Sequence, residues 1–239
     1  MTDERAQPSL VLGVLGGMGP AATLDFLGKL QAFTPAEADQ DHIRVLMDLN
    51  PKVPDRNTPG SGAGAVLAEM AGALAGAGAE VLAMPCNTAH AHAALIQRAS
   101  GLPLIDLIET GAAAARDLGA RRVGVIGTKG ALRLYREYLA AQAMGLVGLE
   151  PPRQEAFMAT IYKIKAGDLG PAVRREMASY AADLIAGGAE AVIAGCTEAP
   201  LVMGPGDVRA PFIDPGELLA RRCVAVCLGF EPVPAPVGD

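Results

Sequence analysis

Gly78-Ala79-Glu80-Val81-Leu82-Ala83-Met84-Pro85-Cys86-Asn87-Thr88 and Gly188-Ala189-Glu190-Ala191-Val192-Ile193-Ala194-Gly195-Cys196-Thr197-Glu198 are two versions of one phrase. Each opens on a glycine turn, passes through a short apolar strand and reaches a cysteine, with a hydroxyl residue close behind where a helix is expected to begin. Two more echoes flank this pair. Val11-Leu12-Gly13-Val14-Leu15-Gly16-Gly17-Met18-Gly19 is matched by Arg122-Val123-Gly124-Val125-Ile126-Gly127-Thr128-Lys129-Gly130, and Pro103-Leu104-Ile105-Asp106 by Pro211-Phe212-Ile213-Asp214. The echoes keep one order and nearly one spacing.

Between them, short apolar runs alternate with longer Ala-rich segments, the pattern of strand–helix units around parallel sheets. The expected fold is α/β, with two similar domains related by an approximate two-fold axis, each a parallel sheet flanked by helices. Residues 1–107 plus 211–239 form the first domain, the last helix returning to it, and residues 108–210 form the second. Ligands in such sheets sit beyond the carboxyl ends of the strands. Cys86 and Cys196 both belong there, so the expectation is an active site in an inter-domain cleft lined by two thiols.

Composition narrows the function. The chain has 239 residues, 51% of them hydrophobic, and a formal net charge of −6. No basic stripe supports nucleic-acid binding. The polar start, Met1 to Ser9, carries no export signal, and no apolar run is long enough to span a bilayer. Four cysteines without such a signal read as reduced thiols in a cytoplasmic protein.

A thiol acts as a base only as its thiolate, and a helix start favours that form through unpaired N–H groups and the helix dipole. The same N–H groups can seat a carboxylate. One cysteine alone reads as a small buried residue. Two in matched settings suit proton removal from one face of a carbon and return to the other. Two such thiols need opposite protonation states at once, so they form a coupled pair. Glu198 either positions or deprotonates Cys196, or caps a helix.

These motifs resemble the aspartate/glutamate racemase superfamily, and within it the aspartate racemases. Gly16-Gly17-Met18-Gly19-Pro20 resembles their opening glycine loop, Asn50-Pro51-Lys52-Val53-Pro54-Asp55-Arg56 their Asn-Pro and Pro-Asp-Arg segment, and Met84-Pro85-Cys86-Asn87-Thr88-Ala89-His90 and Gly195-Cys196-Thr197-Glu198 their two cysteine motifs. The resemblance runs from about Leu10 to Asp214. It implies a racemase that needs neither PLP nor a metal, interconverting L- and D-aspartate with Cys86 and Cys196 as the exchanging acid and base. It places Arg56 on a substrate carboxylate and Lys165, with Lys163 as the rival choice, near the substrate. Asn87, Thr88 and Thr197 hold the α-carboxylate and amine, and Met18 and Asn50 join the substrate-binding set. Met18 and Glu198 lean the choice toward aspartate, with glutamate or a broader range as the alternative. A homodimer is usual in the superfamily.

Other signals compete. Gly17-Met18-Gly19-Pro20-Ala21-Ala22 fits the loose G-x-G-x-x-A dinucleotide pattern, which keeps a nucleotide-binding oxidoreductase open. That reading leaves the paired cysteines unexplained. A non-catalytic binding protein is a third class, and the presence of both cysteines argues against it. Cys223 and Cys227 share a helix face and read as core. Of His90 and His92, His90 is the better candidate to support Cys86, with a surface position as the plainer expectation. Lys129 lacks the spacing of a phosphate loop.

Overall fold

The computed structural model describes residues 9–58 and 60–235, so the N-terminal stretch read for an export signal, apart from Ser9, and Pro59 of the proline-rich loop lie outside the described residues. The elements run β1 (Leu12–Gly16), α1 (Pro20–Phe33), β2 (Val45–Leu49), α2 (Ala63–Gly76), β3 (Val81–Ala83), α3 (Ala93–Ser100), β4 (Leu104–Ile105) and α4 (Leu107–Asp117). They continue with β5 (Arg122–Val125), α5 (Lys129–Ala141), β6 (Gly145–Val147), α6 (Pro151–Lys165), α7 (Pro171–Ala186), β7 (Ala191–Ile193), β8 (Phe212–Ile213) and α8 (Pro215–Cys227).

Two four-stranded sheets result, all of their pairings parallel: β2-β1-β3-β4 and β6-β5-β7-β8. The order is the same in both. The chain divides into two compact units, one comprising the residues up to Pro85, His92–Leu107 and those from Gly216 onward, the other Cys86–Ala91 and Ile108–Pro215. The first cysteine motif and the strand β8 therefore group with the second unit, whereas the expected boundaries put both with the first.

The echoes have a common physical cause. Gly78 and Gly188 adopt positive φ, 100° and 91°, and end α2 and α7. Ala79 and Ala189 then send their N–H back to the helix, to Leu74 and Leu184, each at 3.0 Å. Each glutamate follows and steadies the start of the central strand. The Glu80 carboxylate accepts the Val11 N–H at 2.8 Å, and the Glu190 carboxylate accepts those of Arg121 and Arg122 at 2.5 and 3.1 Å. Those two N–H groups hold the Glu190 carboxyl below the usual range.

Gly13 and Gly124 are glycine because the alanines press on them. A Cβ would stand 2.9 Å from the Ala79 Cβ at Gly13 and 3.0 Å from the Ala189 Cβ at Gly124. Pro103 and Pro211 supply carbonyls to Leu82 and Val192, each at 2.9 Å, and so register β4 and β8. Identical residues recur because each sheet must be entered, packed and edged the same way.

Within the first unit, β1 delivers the chain into the glycine loop. The Gly17 N–H donates to Thr23 Oγ1 at 2.9 Å, and that hydroxyl donates to the Gly19 carbonyl at 2.9 Å. Gly17, at φ 94°, abuts the Asn50 backbone so closely that any Cβ would collide with it. In the second unit a core of Ile126, Phe157, Ile161, Ile164, Met177, Tyr180 and Leu184 packs α6 and α7 against the sheet and extends to Cys196.

Candidate active site

The two cysteine loops differ from the sequence expectation in one respect. Each cysteine is followed by a 3-10 turn, Thr88–His92 and Ala199–Leu201, where an α-helix was expected. The cause after Cys86 is His90. Its Nδ1–H donates to the Cys86 carbonyl at 2.9 Å, taking the acceptor that a first α-turn would use, and its backbone N–H goes to the Asn87 carbonyl instead. His90 is thus buried and holds the loop, rather than lying on the surface. After Cys196, Gly204-Pro205-Gly206 closes off any helix. Neither cysteine sits at an α-helix N-terminus, so the dipole argument for a lowered thiol pKa does not apply.

What surrounds Cys196 acts the other way. Its thiol donates to Glu198 Oε2 at 3.0 Å. Burial, then the Glu198 carboxylate, push this thiol well above its ordinary range, against the smaller pull of the Glu198 backbone N–H and Lys165. The side chain therefore rests protonated. Glu198 is not a helix-cap acid; it is buried at 3% exposure and pairs with Lys165 Nζ at 2.5 Å.

Lys165, the last residue of α6, is the cation of this cluster. Burial lowers its pKa, but Glu198, Cys196 and Cys86 together raise it above the ordinary lysine value. One ammonium thus interacts electrostatically with both cysteines. Lys163 does not compete for this place: it is exposed and pairs with Glu176 at 3.2 Å.

A second layer fixes the loop after Cys86. Thr88 Oγ1 and Thr128 Oγ1 share a hydrogen bond of 2.7 Å, and Thr128 also accepts the Ala131 N–H to cap α5. The buried Tyr135 hydroxyl donates to Asn87 Oδ1 at 2.9 Å, while Asn87 Nδ2 is buried with no protein partner among the described residues. Thr197 is buried beside Cys196. The structure thus gathers Cys86, Asn87, Thr88, Lys165, Cys196, Thr197 and Glu198 in the second unit.

Met18, Asn50 and Arg56 belong to the first unit. Met18 is buried, and the Asn50 side chain accepts the Lys52 N–H at 2.9 Å. Arg56 folds back on its own loop, its Nη1 donating to the Val53 and Pro54 carbonyls at 3.3 and 3.2 Å, with Nε buried and without a protein partner among the described residues.

Thr128 and Tyr135 are additions that the motif reading missed. Thr128 stood in view inside the second glycine echo; Tyr135 carries no local signal. Cys223 and Cys227 are buried in α8, and none of the four cysteines forms a disulfide. Among the described residues no group of three or more His, Cys, Asp or Glu could hold a metal ion.

Residues 15–223 match the model of the Asp/Glu/Hydantoin racemase family. The chain belongs to that family. It is 24% identical to the broad specificity amino-acid racemase RacX of Bacillus subtilis, over 92% of this chain and 100% of that one. It is 30% identical to a glutamate racemase of Pseudomonas entomophila, over 92% of this chain and 81% of that one. Among solved structures it is similar to the aspartate racemase of Picrophilus torridus, at a TM-score of 0.78 and 26% identity, covering 92% of this chain and 94% of that one. Family membership and these relatives support an amino-acid racemase with two α/β units. No helix among the described residues is long and apolar enough to cross a membrane.

Proposed function

We propose that the protein interconverts L- and D-aspartate without a cofactor, through one thiolate and one thiol. The observation that carries this reading is Lys165, whose single charge interacts with both Cys86 and Cys196. Two sulfurs in the field of one cation suit two-sided proton transfer, and that cation also opposes the negative charge that builds on a carboxylate as the α-proton leaves. Cys196, protonated and bonded to Glu198, is the donor in the resting state, and Cys86 is the sulfur that abstracts. The roles exchange for the other enantiomer.

Arg56 takes the distal carboxylate, with Met18 and Asn50 completing the substrate-binding set from the glycine and proline loops. Its unpartnered Nε–H leaves a charge-assisted donor for that group. Asn87, Thr88 and Thr197 serve the α-carboxylate and amine. The relatives include glutamate and broad-specificity racemases, so substrate choice is the part to test. Chiral chromatography after incubation with single L-amino acids, no cofactor added, should show D-aspartate formed fastest. Faster D-glutamate, or equal rates across many amino acids, would contradict the aspartate reading. Arg56→Ala should raise KM for aspartate by roughly 10- to 100-fold, the worth of a hydrogen bond to a charged group. An unchanged KM would remove Arg56 from the site. We further propose a cytoplasmic homodimer, as is usual in the superfamily; a monomer mass by light scattering would contradict the dimer.

A further inference from the structure

Gln154 lies on the buried face of α6, which continues through Phe157, Ile161 and Ile164, and is only 6% exposed. Its Nε2 donates to the Gly127 carbonyl at 2.9 Å. A backbone carbonyl only accepts, so this bond fixes which way the amide faces. Oε1 is then the far atom, buried and with no protein partner among the described residues. A buried amide oxygen left without a donor is unusual enough to call for a ligand.

Its anchor point adds a second observation. Gly127 touches the Gly195 backbone, where a Cβ would stand 2.9 Å from the Gly195 oxygen, and Gly195 directly precedes Cys196. The next residue, Thr128, bonds to Thr88, two residues after Cys86. Gln154 therefore braces a stretch of backbone that meets both cysteine loops. On the Cys86 loop, Tyr135 fixes the Asn87 amide through Oδ1 and leaves Nδ2 as an unpartnered donor. Near the two cysteine loops the second unit thus holds one orphan donor, Asn87 Nδ2, and one orphan acceptor, Gln154 Oε1. A zwitterionic α-amino acid offers the complement of each, a carboxylate and an ammonium.

We infer that Gln154 Oε1 accepts a hydrogen bond from the substrate's α-ammonium, an assignment that rests on the racemase reading above. Holding that amine as the cation keeps positive charge beside the carbon that loses its proton, which favours the anionic transition state. Gln154 thereby selects amino acids over the corresponding plain carboxylic acids.

The test compares Gln154→Met with the wild type by calorimetry, using aspartate and its deamino analogue succinate, or glutamate and glutarate if glutamate is the faster substrate. Met keeps the length and removes the acceptor. The variant should bind the amino acid about 10-fold more weakly or worse, and the deamino analogue within about twofold of wild type. Equal loss for both ligands, or loss for neither, as a buried water on Oε1 would give, overturns the assignment.

Should the variant not fold, wild-type protein carrying isotopically labelled glutamine answers the same question by NMR. The Gln154 side-chain amide should shift with the amino acid and not with its analogue; equal shifts or none overturn the inference. The two readings fail differently. A wild type that racemises normally while the ligand pair responds equally removes Gln154 alone, whereas a wild type that neither racemises nor binds removes both.

Discussion

Glu198 carries the sharpest consequence at the scale of single residues. It accepts the Cys196 proton and neutralises Lys165, and its charge helps push the thiol up. Glu198→Gln removes that carboxylate and leaves Lys165 without its countercharge. The Cys196 thiol should then ionise at lower pH, and for the enantiomer whose proton Cys86 removes, with Cys196 as the donor, the descending limb of the kcat/KM profile should move toward acid. Thiolate absorbance in the ultraviolet, followed with and without Cys196→Ala, reads this directly. A limb that stays in place while activity falls at every pH would make Glu198 an obligatory proton acceptor instead. From sequence, Glu198 and Lys165 were visible as candidates, but their pairing was not. They are separated by the whole of α7 and β7, and packing of α6 on the Cys196 loop brings them together.

The elements show what was legible and why. The sheets could be read because their determinants are local and repeated: Gly78 and Gly188 at helix ends, Glu80 and Glu190 at strand starts, Ala79 and Ala189 against Gly13 and Gly124. Gly124→Val should therefore be costly, since its branched side chain meets the Ala189 Cβ and the Leu184 side chain, 3.0 and 3.1 Å from the Cβ alone. A loss of about 1–3 kcal/mol is expected by urea unfolding, as for overpacked cores generally. A variant as stable as wild type would show that the strand shifts to make room. The turn after Cys86 was not legible, because the His90 ring competes with the backbone for one carbonyl. No propensity announces that competition. Gln154 was equally hidden: a polar residue in the Pro151–Lys165 helix looks solvated until its neighbours are known.

For the whole molecule, buried thiols set the response to alkali. Burial raises Cys196 and Cys223 well above the ordinary thiol range and Cys227 to about 12. Unfolded, each would ionise at about 8.5. Above that value the unfolded chain releases protons that the native chain keeps, so stability is full below it and falls as pH rises. The slope is about 1.4 kcal/mol per pH unit for each thiol. Urea midpoints measured from neutral to alkaline pH should decline, and Cys223→Ala should flatten the decline; a midpoint independent of pH would contradict the burial of these groups.

On the proposed mechanism, Cys86 and Cys196 act on opposite faces of one α-carbon. The most direct measurement follows deuterium at Cα, and the enantiomer formed, when L- or D-aspartate is incubated in heavy water with wild type, Cys86→Ala and Cys196→Ala. Wild type should give deuterated product of the opposite hand from either substrate, and each variant should form none of it, retaining at most exchange of one enantiomer without inversion. Inversion that survives the loss of either sulfur, or a wild type that leaves Cα untouched, would contradict it.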